Sequence, residues 1–93
     1  MLTLAINTAS KQSALALIQG NSVLTERSWE SNANESQKVL PGILEMLTEN
    51  SLTWDDLDEV FVTNGPGAYT SLRVGIVIAN SIAWQQKIPM RST

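Results

Sequence analysis

Val60-Phe61-Val62-Thr63-Asn64-Gly65-Pro66-Gly67-Ala68-Tyr69-Thr70-Ser71-Leu72-Arg73 carries three structural signals in one short run. A brief β-branched and aromatic segment from Glu59 to Thr63 reads as a buried strand. Gly65-Pro66-Gly67 ends it, because glycine reaches backbone conformations closed to other residues and proline cannot donate to a ladder. From Thr70 to about Gln86, Leu72, Ile76, Ala79 and Ala83 recur at helical spacing and form one face. Strand, tight turn and helix in that order are a building unit of α/β layers.

Towards the amino terminus the pattern changes to strands. Leu2, Leu4 and Ile6 alternate with Thr3, Ala5 and Asn7, a period of two. Gln12 to Ile18 is apolar on both sides, which predicts a strand inside a covered sheet. Gly20-Asn21 then suits a tight hairpin, and Ser22 to Trp29 alternates again. A polar connector, Ser31-Asn32-Ala33-Asn34, leads into a helix predicted from about Ser36 to Glu49, with Pro41 either in its first turn or kinking it. Thr53-Trp54-Asp55-Asp56 reads as a short capped helical turn, acidic at its positive end. Ile88-Pro89-Met90-Arg91-Ser92-Thr93 predicts the start of another strand, and the natural polypeptide is expected to run further. The order β-β-β-α-β-α, with a possible last strand, fits an α/β layer of the ribonuclease H-like kind.

Composition narrows the chemistry. The chain has 93 residues, room for one domain, with 43% hydrophobic and 16% charged residues, a globular balance. It contains no His and no Cys, so imidazole and thiolate catalysis and the common zinc sites are excluded. Six Lys and Arg are scattered within a net charge of −3, with no basic stripe for nucleic acid. No apolar run approaches membrane-spanning length, which reads as a soluble, cytoplasmic protein.

Three features compete for a functional role. The turn at Gly65 and Gly67, opening on Thr70, aims backbone N–H groups at one point and is a candidate anion or nucleotide site. It lacks the Lys-Ser/Thr pair of a phosphate loop and the third glycine of a dinucleotide fingerprint, and the alternative is a purely structural turn. The acidic run Asp55, Asp56, Asp58 and Glu59 reads as a solvated helix cap rather than a catalytic pair. Trp29, Trp54 and Trp84 read as partial core rather than stacking platforms, since no basic groove accompanies them.

The strongest signal is surplus apolar surface on the two helices. In the first, Val39, Leu40, Ile43, Leu44, Met46 and Leu47 fill an arc of roughly 160°, wider than the ~100° stripe of a surface helix. In the second, Val74, Ile78 and Ile82 lie some 200–280° around from Leu72, and Val77 and Trp84 point a third way. Gly75, Ala79 and Ala83 form a small-residue row suited to close approach of another helix. The expected interface residues are therefore Val39, Ile43, Met46, Val74, Ile78 and Ile82. The alternative is that the first helix, or a further half of the protein, covers them.

These segments together resemble the TsaB/YeaZ family, a degenerate branch of the actin-like ATPase superfamily. Leu4-Ala5-Ile6-Asn7-Thr8-Ala9-Ser10 is similar to the family's opening strand and turn, and Ser36-Gln37-Lys38-Val39-Leu40-Pro41 to its first helix. Leu57-Asp58-Glu59-Val60 followed by Gly65 to Gly75 resembles its signature turn and second helix. Asn7 departs from the acidic residue common in the superfamily, Glu35 sits near a frequent His, and Ser71 replaces a usual Gly. The resemblance implies a single ribonuclease H-like lobe over residues 1–93, the amino-terminal half of a TsaB-like protein whose second lobe is absent. It further implies a non-catalytic subunit without cofactor or metal. Its partners would be the TsaD transferase of tRNA N6-threonylcarbamoyladenosine (t6A) modification, with the ATPase TsaE joining, or a second copy when alone. Contact would run through the two helices, with no direct nucleic acid binding. The rival reading is a small nucleotide hydrolase or peptidase-like enzyme built on the Gly65-Pro66-Gly67 turn.

Overall fold

A computed structural model describes residues 1–8, 12–30, 35–63 and 70–92 of the chain. The elements are β1 (Leu2–Asn7), β2 (Gln12–Gln19), β3 (Ser22–Glu30), α1 (Glu35–Glu49), β4 (Glu59–Val62), α2 (Thr70–Gln86) and β5 (Met90–Ser92). A 3₁₀ turn, Trp54–Asp56, lies between α1 and β4. The described residues form a five-stranded sheet in the order β3-β2-β1-β4-β5. β1 to β3 are an antiparallel meander, while β4 pairs parallel with β1, and β5 parallel with β4. The parallel pairs require crossovers, and α1 and α2 supply them.

Register explains which side chains meet. Leu4 lies between Leu17 and Val60, and Ile6 between Leu15 and Val62. All six are essentially inaccessible. Val39, Ile43, Met46 and Leu47 of α1 and Ala79, Ile82 and Ala83 of α2 join the same core, so the two helices share one face of the sheet. On the opposite face Ala5, Ala14, Ala16, Ile18 and Phe61 are half-buried. β2 is thus covered from one side among the described residues, not from both as its composition predicts. Its outward positions are mostly alanine, and their apolarity comes from small size rather than from a second packed layer.

Two close approaches set the helices on the sheet. A Cβ on Gly42 would lie 3.0 Å from Leu15 Cδ1, where α1 presses on β2. A Cβ on Gly75 would lie 2.2 Å from Oγ1 of the buried Thr8, just beyond the end of β1. Gly75 therefore lets α2 approach the end of β1, and Ala79 and Ala83 on the same face are buried in the core. The sequence pattern showed a close approach but not the surface approached. Both helices end alike: Ser51 and Lys87 take φ of 57°, and Leu52 and Ile88 donate back to the carbonyls of Leu47 and Ala83.

The acidic run dissolves into separate structural roles. Asp56 accepts a hydrogen bond from the Thr53 N–H at 2.7 Å and holds the 3₁₀ turn. Asp58 accepts one from the Leu2 N–H at 2.7 Å, pinning the start of β1. Glu59 is buried, accepts a hydrogen bond from Thr3 Oγ1 at 3.1 Å and faces Arg91 at 3.4 Å. Glu59 is thus a strand-to-strand tie rather than part of a solvated cap.

Candidate protein-interaction surface

Helix α1 is amphipathic with its inward stripe on Val39, Ile43, Met46 and Leu47. Counting about 100° per residue from Ile43, Leu40 and Leu44 fall at roughly 60° and 100°, on the flank of that stripe. Leu40 is 45% exposed and Leu44 52%. Pro41 stands in the second turn, exposed, where it costs one intrahelical hydrogen bond without disturbing the core face.

Helix α2 is built the other way. Its inward face is Gly75, Ala79, Ile82 and Ala83, all buried. About 140–160° around from Ala79 stand Trp84 and Val77, pointing away from the sheet. Trp84 is 84% exposed and Val77 61%. Val74 and Ile78 occupy the side between these faces and are half-buried. Between the helices a groove of about 290 Å³ is lined by Leu40, Trp54, Ile78 and Ile82, with Ser81, Gln85 and Gln86 supplying polar groups. Exposed apolar side chains thus stand on both helices, Leu40 and Leu44 on one and Val77 and Trp84 on the other, with Leu40 and Ile78 lining the groove between.

Of the expected interface residues, Val39, Ile43 and Met46 have no exposed surface, and Ile82 has 7%. These four belong to the core; an over-wide arc contains the inward stripe as well as its exposed flank, and sequence alone did not divide them. Val74 and Ile78 remain half-buried, and Ile78 lines the groove. Leu40, Leu44, Val77 and Trp84, part of the surplus apolar surface but outside the expected interface set, are the exposed ones. For Trp84 the available signal was its position nearly opposite Ala79 on the helix, which outweighs the general tendency of tryptophan to be covered.

Gly65 and Gly67 of the candidate anion turn lie outside the described residues; Thr70 is the first residue of α2. Among the described residues no group of three or more Asp or Glu is placed to hold a metal ion, and no helix is long and apolar enough to cross a membrane.

An antiparallel meander continued by two parallel strands, with two helices on one face, is the architecture of a ribonuclease H-like lobe. Thermus thermophilus RuvC shares it, with a TM-score of 0.62 at 12% identity, over 100% of this chain and 63% of that one. YeaZ from Pseudomonas aeruginosa superposes more closely, with a TM-score of 0.88 at 22% identity, over 100% of this chain and 44% of that one. In sequence, residues 29–92 match the family model of TsaD, tRNA N6-adenosine threonylcarbamoyltransferase. The tRNA threonylcarbamoyladenosine biosynthesis protein TsaB of Bacillus subtilis (strain 168) is 31% identical over 97% of this chain and 39% of its own length. The chain belongs to the family described by that model, on its TsaB/YeaZ branch. It spans about two fifths of the length of the TsaB relative.

Proposed function

We propose that this chain is a non-catalytic partner subunit in t6A biosynthesis, docking on a TsaD-like transferase through the outer faces of α1 and α2. The observation that carries this reading is the exposure of Leu40, Leu44, Val77 and Trp84 on two neighbouring helices. Removing a large apolar side chain from water is worth about 1.5–3 kcal/mol, so four exposed ones favour association. Family membership supports the choice of partner, because the matching model describes the transferase itself. That partner would carry a lobe of the same kind, with two helices in corresponding positions.

The absence of His and Cys from all 93 residues supports a supporting role over a catalytic one, since imidazole and thiolate chemistry is closed to this chain. The tRNA modification named for the relatives supports placement in the cytoplasm. A TsaE-like ATPase is a further partner in this proposal, joining once the pair has formed.

Calorimetric titration of the purified transferase subunit into this chain tests the reading. Leu44→Asp places an exposed charge on this face without touching the core, and is expected to weaken binding at least tenfold. Equal affinity for Leu44→Asp and the parent chain would remove the interface from this face.

A further inference from the structure

β3 forms one edge of the sheet and β5 the other. The two edges are built differently. β5 has three residues and follows Pro89, and both features blunt an edge against further pairing. β3 has nine residues, contains neither proline nor lysine, and pairs only with β2 among the described residues. Every second N–H and C=O along its free side is therefore open to another strand. Leu24 is the extra residue of a bulge, since Thr25 pairs with Leu17 and Val23 with Ile18. Regular strand is left from Thr25 to Glu30.

That stretch carries a charge pattern. Glu26, Ser28 and Glu30 are exposed on the face of the sheet away from the helices, and Thr25, Arg27 and Trp29 are half-buried on the helix side. The Arg27 guanidinium is already committed, to Glu49 of α1 and to the Thr25 hydroxyl. Glu26 and Glu30 are not. On β2 they face Ala16 and Gln12, and among the described residues neither forms an ion pair. A strand added on the free side would set a cation directly opposite each carboxylate, at the cross-strand Cβ spacing of about 4.5–5.5 Å.

We propose that the β3 edge from Thr25 to Glu30 is a strand-addition site for an extended cationic segment of another protein, paired antiparallel, with basic residues four apart set against Glu26 and Glu30. Main-chain hydrogen bonds supply the affinity. The two carboxylates select the register, because a slip of one residue carries both cations to the face that Arg27 occupies. An aromatic residue next to the base opposite Glu30 falls beside Trp29. The site goes beyond the transferase reading and lies off the outer helix faces on which that reading rests, so either can fail alone.

The test uses a capped, fluorescein-labelled hexapeptide with lysine at its first and fifth positions, tyrosine at its second and threonine elsewhere. Titrated with the 93-residue chain, it is expected to show saturable binding by fluorescence anisotropy. The double variant Glu26→Lys, Glu30→Lys should bind it about tenfold more weakly, and a peptide with glutamate in place of both lysines should restore binding to that variant. The rescue also shows that the variant is folded. Of two peptides N-methylated at odd or at even positions, only one should lose binding, because only one set of N–H groups faces β3. No saturable binding at millimolar concentration, equal binding of a scrambled peptide of the same composition, no effect of the charge reversal, or the same response from both methylated peptides would overturn the proposal.

Discussion

Helix α1 turns its large apolar residues inward, with Val39, Ile43, Met46 and Leu47 fully buried, whereas α2 turns Gly75, Ala79 and Ala83 inward beside one buried large residue, Ile82, and carries Val77 and Trp84 outside. Both pack on the same sheet face, so the sheet does not dictate the difference. Large inward side chains hold α1 at a distance and fill the space between; small ones let α2 settle close to β1 and β4. A helix seated on small residues gains little from its own core contacts relative to its length. Val77 and Trp84 are then left to serve a surface. α1 is the anchor and α2 the display.

Substitutions sharpen that contrast, beginning with the largest effect. Ile43→Ala deletes a fully buried side chain from the anchor and should cost about 3–4 kcal/mol, read from urea unfolding. Gly75→Ala attacks the close seat of α2. Its new Cβ would fall 2.2 Å from Thr8 Oγ1, and relief by backbone shift should cost about 2 kcal/mol in the same assay. A cost near zero there would mean that α2 lifts easily and that its small-residue seat is incidental. Lys87→Gly frees the left-handed end of α2 from its Cβ penalty and should raise stability by about 0.5–1 kcal/mol, measured as a shift of the urea midpoint. Trp84→Ala should change monomer stability by no more than about 0.5 kcal/mol, since the side chain is already in water. A large loss at Trp84 would erase the distinction between anchor and display.

The sheet was legible because strand periodicity reports directly on side-chain alternation. Leu2, Leu4 and Ile6 face the core as their spacing predicts, and the ends of α2 fall where the glycine turn and the helical period place them. Helix faces were harder. Spacing shows that Gly75, Ala79 and Ala83 lie together, but not that Gly75 presses on Thr8 at the end of β1. It shows a broad apolar arc on α1, but not that Ile43 is sealed while its neighbour Leu44 is half exposed. Glu59 was read with its acidic neighbours because its tie to Thr3 and Arg91 bridges positions far apart in the chain. The surplus apolar surface is therefore legible in sequence as a property of two helices, and which residues stand in water comes from the packing.

Amide hydrogen exchange of this chain with and without the transferase subunit tests the docking claim most directly. The account predicts slowed exchange in α1 and α2 upon complex formation, with the β2–β3 hairpin unchanged. Protection confined to the hairpin or to the outer face of the sheet, with both helices unaffected, would contradict it.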